Sequence, residues 1–386
     1  MVPVLISRNE NCCGCKACAN ACPQNAISFK ADEYGFFYPV IDEQKCIGCN
    51  KCVKTCEFQK EENNGNEPLK SVAARHKEAK VYCNSTSGGV FTAFAQYVLE
   101  KKGVVYGCVI GDDMVPKHVA AETEEQIAGM RGSKYVQSDT GLVYREVLDN
   151  LKAGRWVLFT GTPCQVAALN FFLGNTDTTQ LLTVDILCHG VPSPGVFAKY
   201  IDYLTRKYGR KITNFQFRNK RFDWERPVIN VSFDKGKDKW WFTTEDVFYE
   251  NFNKGNFHRP GCFNCKYACL KRYGDVTIGD FWGYQKANIK MSSKEGISCC
   301  LLNTKKALDI IKELPIQAEE VDLNVIVQRQ PRLREHGVKS PSWEPVMNSI
   351  RDNGFEPLAK SFNRTHRKAF LKAFVKKLVL KPLNGK

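Results

Sequence analysis

The chain has 386 residues, 43% of them hydrophobic, enough for two or three domains with cores of their own. Lysine and arginine number 56 against 41 acidic residues, a formal charge of +15 that draws anions, yet no nucleic-acid reader motif accompanies it and no nucleic-acid partner is expected. Eighteen cysteines clustered in so long a chain exclude a disulfide-stapled miniprotein, and no run approaches the ~20 apolar residues of a membrane span. Residues 1–10 lack the apolar core of a signal peptide, so a reducing, cytoplasmic setting is expected.

The first motif reads Cys12-x2-Cys15-x2-Cys18-x3-Cys22, and the same spacing returns as Cys46-x2-Cys49-x2-Cys52-x3-Cys56. Paired runs of this kind hold two 4Fe-4S cubes, each run giving three thiolates to one cube and its fourth to the other. Cys12, Cys15, Cys18 and Cys56 are therefore assigned to one cluster, and Cys46, Cys49, Cys52 and Cys22 to the second. Structural zinc also takes four thiolates, but as two pairs a dozen or more residues apart, which is not the pattern here. Cys13 is left spare, and Glu57 stands where the second run would ordinarily carry proline. Two β-prone pieces, Ala26–Lys30 and Tyr34–Ile41, fill the gap between the runs, and a polar linker over 61–75 closes a module of residues 1–60.

Ser87-Gly88-Gly89 then opens a helix predicted over Val90–Glu100, followed by a strand at Val104–Ile110. Such a glycine-rich entry either receives a phosphate or allows close helix packing. Thr123-x-x-Gln126 is a capping box for a short helix, which leads to Gly132-Ser133-Lys134, where the lysine either meets a phosphate or is solvated. Another helix is predicted near Gly141–Leu151. A strand at Trp156–Phe159 runs into Gly161-Thr162-Pro163-Cys164-Gln165, with Thr162 as N-cap, Pro163 at the first helical position and Gln165 completing a capping box. Cys164 thus falls in a first helical turn, where the dipole favours its thiolate.

The next strand, Leu181–Leu187, ends in Cys188-His189, and a parallel strand–helix–strand unit brings Cys164 and Cys188 to one sheet edge, where open α/β sheets bind ligands. A helix begun by Pro192-Ser193-Pro194 and running to about Tyr208, strands at Ile212–Phe217 and Val228–Phe233, a helix at Glu245–Asn253 and a strand at Asp275–Ile278 follow. Between the last two lies Cys262-x2-Cys265-x3-Cys269. Cys164, Cys188, Cys262 and Cys265 are the expected ligands of a third 4Fe-4S cluster, with Cys269 as substitute and His189 either tuning it by a hydrogen bond or purely structural. Cys83, Cys108, Cys299 and Cys300 lie in apolar, strand-like contexts and are expected in the core. The chain ends in a basic helical tail, 331–386, with an amphipathic stretch at Phe362–Leu383 that suits docking on the protein itself, an acidic partner or an anionic membrane face.

The ordered set formed by the Cys12–Cys56 runs, Ser87-Gly88-Gly89, Gly132-Ser133-Lys134-Tyr135, Gly161-Thr162-Pro163-Cys164, Cys188, and Cys262-x2-Cys265 ahead of Gly279-Asp280 resembles the coenzyme F420 hydrogenase/dehydrogenase beta-subunit family, over roughly residues 1–330. The resemblance implies a small two-cluster ferredoxin module followed by an α/β domain with a mixed, partly parallel sheet, divided at about 76–155 and 156–330. It also implies FAD near Ser87, Gly88, Gly89, Ser133, Lys134, Gly161 and Thr162, and supports a third cluster beside it. The function so implied is transfer of electrons between ferredoxin-type clusters and FAD, with hydride exchange to a deazaflavin or another small organic molecule. Its partner would be a ferredoxin-like carrier or a second oxidoreductase. The alternative is an electron-transfer subunit with no substrate of its own, docked to another enzyme, since relatives of this kind also stand beside polysaccharide-modifying enzymes. No glycine-rich dinucleotide fingerprint is present, so a nicotinamide site of the usual kind is not indicated.

Overall fold

The computed structural model describes residues 2–56, 58, 60, 63–366 and 380, and the amphipathic tail expected over Phe362–Leu383 lies mostly outside them, as does Glu57. The N-terminal module is a hairpin of β1 (Ile27–Ala31) and β2 (Phe37–Ile41), with two short helices, Ala17–Ala21 and Lys51–Thr55, packed on each other.

The large sheet is built from β3 (Lys70–His76), β4 (Val104–Ile110), β5 (Pro116–Ala121), β6 (Val157–Gly161) and β7 (Leu181–Ile186). A separate antiparallel sheet holds β8 (Ile212–Asn219), β9 (Val228–Phe233) and β10 (Lys239–Phe242). Strands β11 (Val276–Asp280), β12 (Ser298–Leu302) and β13 (Ile316–Glu320) complete the large sheet, whose order is β13-β3-β12-β11-β7-β6-β4-β5. Its centre, β11-β7-β6-β4, is parallel and its flanks are antiparallel, giving the expected mixed α/β architecture.

Side chains alternate across the parallel centre. Val105, Leu158 and Leu182 face one core together with the helix Val90–Glu100. Their neighbours Val104, Val157, Phe159 and Leu181 face another core, with the helices Val143–Lys152 and Pro163–Leu173 and with Ala17 of the module. Both faces are covered, which is why these strands are apolar runs. A third, aromatic core joins the helix Pro194–Tyr208, the small sheet, the helices Trp343–Asn353 and Glu356–Thr365, and Phe36 and Tyr38 of the hairpin.

Residues 70–75, expected as linker, are part of β3, which pairs with β12 on one side and β13 on the other. The large sheet therefore draws strands from both sides of the expected boundary at 155/156. Cys83, expected in a strand, ends the short helix Ala79–Cys83, whereas Cys108 lies in β4 and Cys299 and Cys300 are buried in β12. Beyond Asn303, where only helix, loop and tail were expected, β13 adds an edge strand.

The module is seated closely. Gly35 has a φ of +79°, and a Cβ there would stand 2.5 Å from the Gly195 Cα, so the hairpin turn fits only as glycine against the start of the helix Pro194–Tyr208. Ser193 donates to the Tyr34 carbonyl at 2.6 Å in the same contact. Arg145 anchors the module from the other side, donating to the carbonyls of Asn20 (2.7 Å), Ala19 (3.0 Å) and Cys22 (2.7 Å) and to Asn25 Oδ1 (2.7 Å). These carbonyls lie at the C-terminal end of the helix Ala17–Ala21, where a cation is well placed. Among the described residues no helix is long and apolar enough to cross a membrane.

Candidate functional site

Two openings in the module are walled by cysteines. One, of about 340 Å³, carries Cys22, Cys46, Cys49 and Cys52 with Ile27, Ile41 and Ile47. The other, of about 360 Å³, carries Cys12, Cys15, Cys18 and Cys56, together with Cys13, Phe29 and Phe58. Each opening takes three cysteines from one run and the last from the other. The backbone repeats as the sequence does: Gly14 and Gly48 have φ of 71° and 66°, and Lys16 and Asn50 have φ of 62° and 57°, so equivalent left-handed turns aim successive cysteines inward. Soft sulfur donors in an apolar wall suit iron–sulfur clusters. Cys22 Sγ accepts from the Ala26 N–H at 3.3 Å, and Cys12 Sγ from the Gly14 N–H at 3.4 Å and from Arg259 Nη2 at 3.5 Å.

The carboxyl ends of β4, β6, β7 and β11 share one edge of the large sheet, which sets the loops holding Cys164, Cys188 and Asp280 side by side. Cys164 follows β6 at the start of the helix Pro163–Leu173, where both halves of the Thr162/Gln165 capping box are made. Cys188 follows β7, and Cys262 and Cys265 sit on the turn Pro260–Asn264 and its end. Burial and the neighbouring Cys164 and Cys265 sulfurs push the Cys188 thiol up to about 12, burial and Cys164 push Cys265 to about 11, and Cys262 is raised by burial, Cys188 and Cys265. Four partly accessible thiols thus crowd one another. A bound metal centre would favour their thiolates by its positive charge, which the neighbouring sulfurs alone oppose.

The thiol of Cys164 lies beside that of Cys13, and this neighbour and then its burial raise it well above the ordinary range, against the pull of the helix dipole. The Cys13 thiol lies beside those of Cys15 and Cys164. Cys269 points elsewhere, toward the Lys266 carbonyl at 3.4 Å, the Lys271 carbonyl at 3.5 Å and Asn63 Nδ2 at 3.3 Å. His189 faces Arg332, Asp280 and His258, and burial, followed by Arg332, keeps both histidines neutral, His258 down to about 3. Among the described residues no three His, Cys, Asp or Glu side chains close around a single metal ion.

The loops expected near a flavin meet one another. Thr86 Oγ1 accepts from the Ser133 N–H at 2.9 Å, which joins the 85–89 loop to the 132–134 loop. Ser87 Oγ donates to the Ile297 carbonyl (2.8 Å) and the Gly88 N–H to Ser298 Oγ (2.9 Å). A Cβ on Gly88 would come 2.4 Å from the Ala74 carbonyl oxygen, so this glycine permits close packing, and Gly89, with φ +83°, starts the helix after it. Lys134 is neither solvated nor free for a phosphate: its Nζ caps the helix Glu124–Met130 by donating to the carbonyls of Gly129, Met130 and Arg131 at 3.1, 2.8 and 2.9 Å. Gly161 ends β6, and Thr162 Oγ1 lies 3.1 Å from the Cys164 sulfur.

Sequence reasoning passed over a second polar cluster. Arg218 is paired with Asp280, whose other oxygen accepts from Trp224 Nε1 at 3.1 Å, and the Trp224 and Trp282 rings stack at 4.6 Å. Lys220 beside it donates to the carbonyls of Tyr82, Ser87 and Glu295, and burial lowers its pKa to about 8. The buried Arg218 Nε and Arg221 Nε have no hydrogen-bond partner among the described residues. The one sequence signal for this cluster was the basic run Arg218, Lys220, Arg221 between two strands.

Comparison with known proteins agrees with the cysteine geometry. Residues 11–60 match the 4Fe-4S dicluster domain, residues 71–143 the N-terminal part of the coenzyme F420 hydrogenase/dehydrogenase beta subunit, and residues 154–328 its C terminus. The chain is 28% identical over 164 residues to the coenzyme F420-dependent sulfite reductase of Methanocaldococcus jannaschii, a match covering 41% of this chain and 24% of that one. It is 40% identical over 42 residues to the ferredoxin-type protein NapF of Haemophilus influenzae, covering 11% and 24%. A chain of the F420-reducing NiFe hydrogenase complex from Methanosarcina barkeri superposes with a TM-score of 0.45 at 18% identity, over 81% of this chain and 95% of that one. The chain spans about a quarter or less of the length of the curated relatives it matches. With both parts of one family matched in order behind the dicluster domain, the chain belongs to the coenzyme F420 hydrogenase/dehydrogenase beta-subunit family and is an iron–sulfur protein.

Proposed function

We propose that the chain is an iron–sulfur flavoprotein oxidoreductase that passes electrons between 4Fe-4S clusters and FAD and exchanges hydride with a deazaflavin or another small organic molecule. The observation that carries this reading is the line of cysteines: two crosswise sets of four in the module, then Cys13 beside Cys15 and Cys164, then a third set of four on the sheet edge. In this reading Cys12, Cys15, Cys18 and Cys56 hold one cluster, Cys22, Cys46, Cys49 and Cys52 another, and Cys164, Cys188, Cys262 and Cys265 a third. When bound, the clusters supply single electrons and FAD supplies both single electrons and hydride, which is why the two belong together.

The two parts expected at 76–155 and 156–330 act as one unit, since both contribute strands to the large sheet. Ser87, Gly88, Gly89, Ser133, Lys134, Gly161 and Thr162 frame the flavin, but most of their polar groups are already committed to the protein, so they shape the site more than they bind. Arg218, Lys220 and Arg221 supply the positive charge that flavin phosphates need, and two of these side chains keep an unpartnered buried nitrogen. Trp224 and Trp282 offer a stacked aromatic wall beside Asp280.

Anaerobic absorbance spectra with identification of the extracted cofactor test the reading. FAD together with cluster absorbance that bleaches on adding a reduced deazaflavin is the expected result. A chain that carries neither flavin nor iron overturns it. A second reading, an electron-transfer subunit without its own substrate, draws on the exposure of Ile47 (63%), beside Cys49 on the wall of the module's first opening. Turnover of any organic hydride donor by the isolated chain would remove that reading.

A further inference from the structure

Arg259 has no solvent exposure, and its guanidinium is fully engaged across the seam between the module and the α/β domain. Nε donates to the Cys12 carbonyl at 2.8 Å, Nη1 to Gln137 Oε1 at 3.0 Å, and Nη2 to the Phe37 carbonyl at 2.9 Å and to the Cys12 sulfur at 3.5 Å. The guanidinium lies 4.2 Å above the Tyr38 ring. Burial disfavours its charge, but Cys12, Tyr38, Cys13 and Cys262 surround it and hold it protonated. The chain has made room for it: a Cβ on Gly14 would stand 2.4 Å from Gln137 Nε2 and 2.9 Å from Arg259 Nη1.

We infer that Arg259 raises the reduction potential of the centre held by Cys12, Cys15, Cys18 and Cys56 above that of the centre held by Cys22, Cys46, Cys49 and Cys52. The inference rests on the proposal that these cysteines hold clusters. Reduction adds one negative charge to a group already carrying thiolates. A buried cation stabilises that charge, the low surrounding dielectric strengthens the effect, and a donor on the ligand sulfur withdraws electron density. Among the described residues no cation reaches a sulfur of the other centre: Arg145 donates to the Cys22 carbonyl at 2.7 Å, and Cys22 Sγ accepts from the neutral Ala26 N–H. Lys16 also lines the Cys12 opening, but its Nζ is paired with Asp139 at 2.5 Å. Arg259 also faces Cys262 on its far side, so the cluster it favours is the one nearest the third set of cysteines. An electron resting in the module would therefore rest on the inner centre, next to Cys13 and Cys164, and not on the outer one beside exposed Cys49.

The test is a dithionite redox titration of the anaerobically purified full chain, followed by electron paramagnetic resonance, with Arg259→Gln and Arg259→Lys beside the unmodified protein. Arg259→Gln is expected to lower the reduced-to-oxidised ratio of one module signal at least tenfold at a fixed applied potential, which is about 59 mV for a one-electron couple. The second module signal stays in place, and iron and sulfide contents match those of the unmodified chain. Arg259→Lys, which keeps the charge but loses the fork spanning Cys12 and Gln137, shifts the same signal by less, and it alone decides the question if Arg259→Gln fails to assemble. Two signals that stay in place, or that move together, overturn the inference and leave the cluster assignment standing. An unmodified chain without module signals overturns the cluster assignment itself.

Discussion

Arg145→Gln should loosen the module without touching a cysteine. The guanidinium makes four hydrogen bonds of 2.7 to 3.0 Å to Asn20, Asn25, Ala19 and Cys22, all on the module, while its own backbone belongs to the helix Val143–Lys152. Hydrogen bonds from a charged donor contribute roughly 1.5–3 kcal/mol each, but four from one half-buried side chain do not add fully and glutamine recovers one. A net loss of about 3 kcal/mol follows, roughly a hundredfold more of the opened form, at 1.4 kcal/mol per factor of ten. Anaerobic urea unfolding followed by cluster absorbance reads it as a lower midpoint for that signal. A midpoint unchanged to within about 0.5 kcal/mol would refute the clamp and, with it, the rigid seating of the module on the sheet.

Gly35→Ala forces a side chain into a left-handed turn, costing about 1–2 kcal/mol, and drives its Cβ against the Gly195 backbone, so a total near 3 kcal/mol should appear as a lower Tm. His118 is buried between the Thr160 carbonyl (2.9 Å) and Ser138 (3.0 Å), and burial lowers its pKa from 6.5 to about 4. The folded value lies below the unfolded one, so the unfolded chain takes up the extra proton. Stability is intact above pH 6.5 and falls by up to about 3 kcal/mol as the pH drops to 4. His118→Gln should flatten that part of the pH–stability curve, and an unchanged slope would contradict the assignment.

What could be read in advance was local. The Thr162–Gln165 capping box and the Thr123 cap depend on residues three apart, and both formed. The crosswise sharing of Cys22 and Cys56 follows from the spacing of two repeats, and both openings have that composition. What could not be read depends on distant partners. β3 is a run of small and polar residues, Lys-Ser-Val-Ala-Ala-Arg-His, whose neighbours β12 and β13 lie more than two hundred residues away. Arg259 has partners at Cys12, Phe37 and Gln137 and no motif of its own. The place of Lys134 a few residues beyond a helix end suits a phosphate ligand and a cap alike, and the cap is its role. The helix dipole at Cys164 is a local signal, whereas its neighbour Cys13 stands 151 positions earlier in the chain.

In the proposed function three sets of four sulfurs, and not two, seat metal centres. Iron and acid-labile sulfide per chain, measured on anaerobically purified protein with and without Cys262→Ala, decide between three sets and two. Roughly twelve irons are expected in the unmodified chain and about four fewer in the variant, with the module's signals unchanged. Roughly eight irons in both would leave Cys164, Cys188, Cys262 and Cys265 as a nest of ordinary thiols and contradict it.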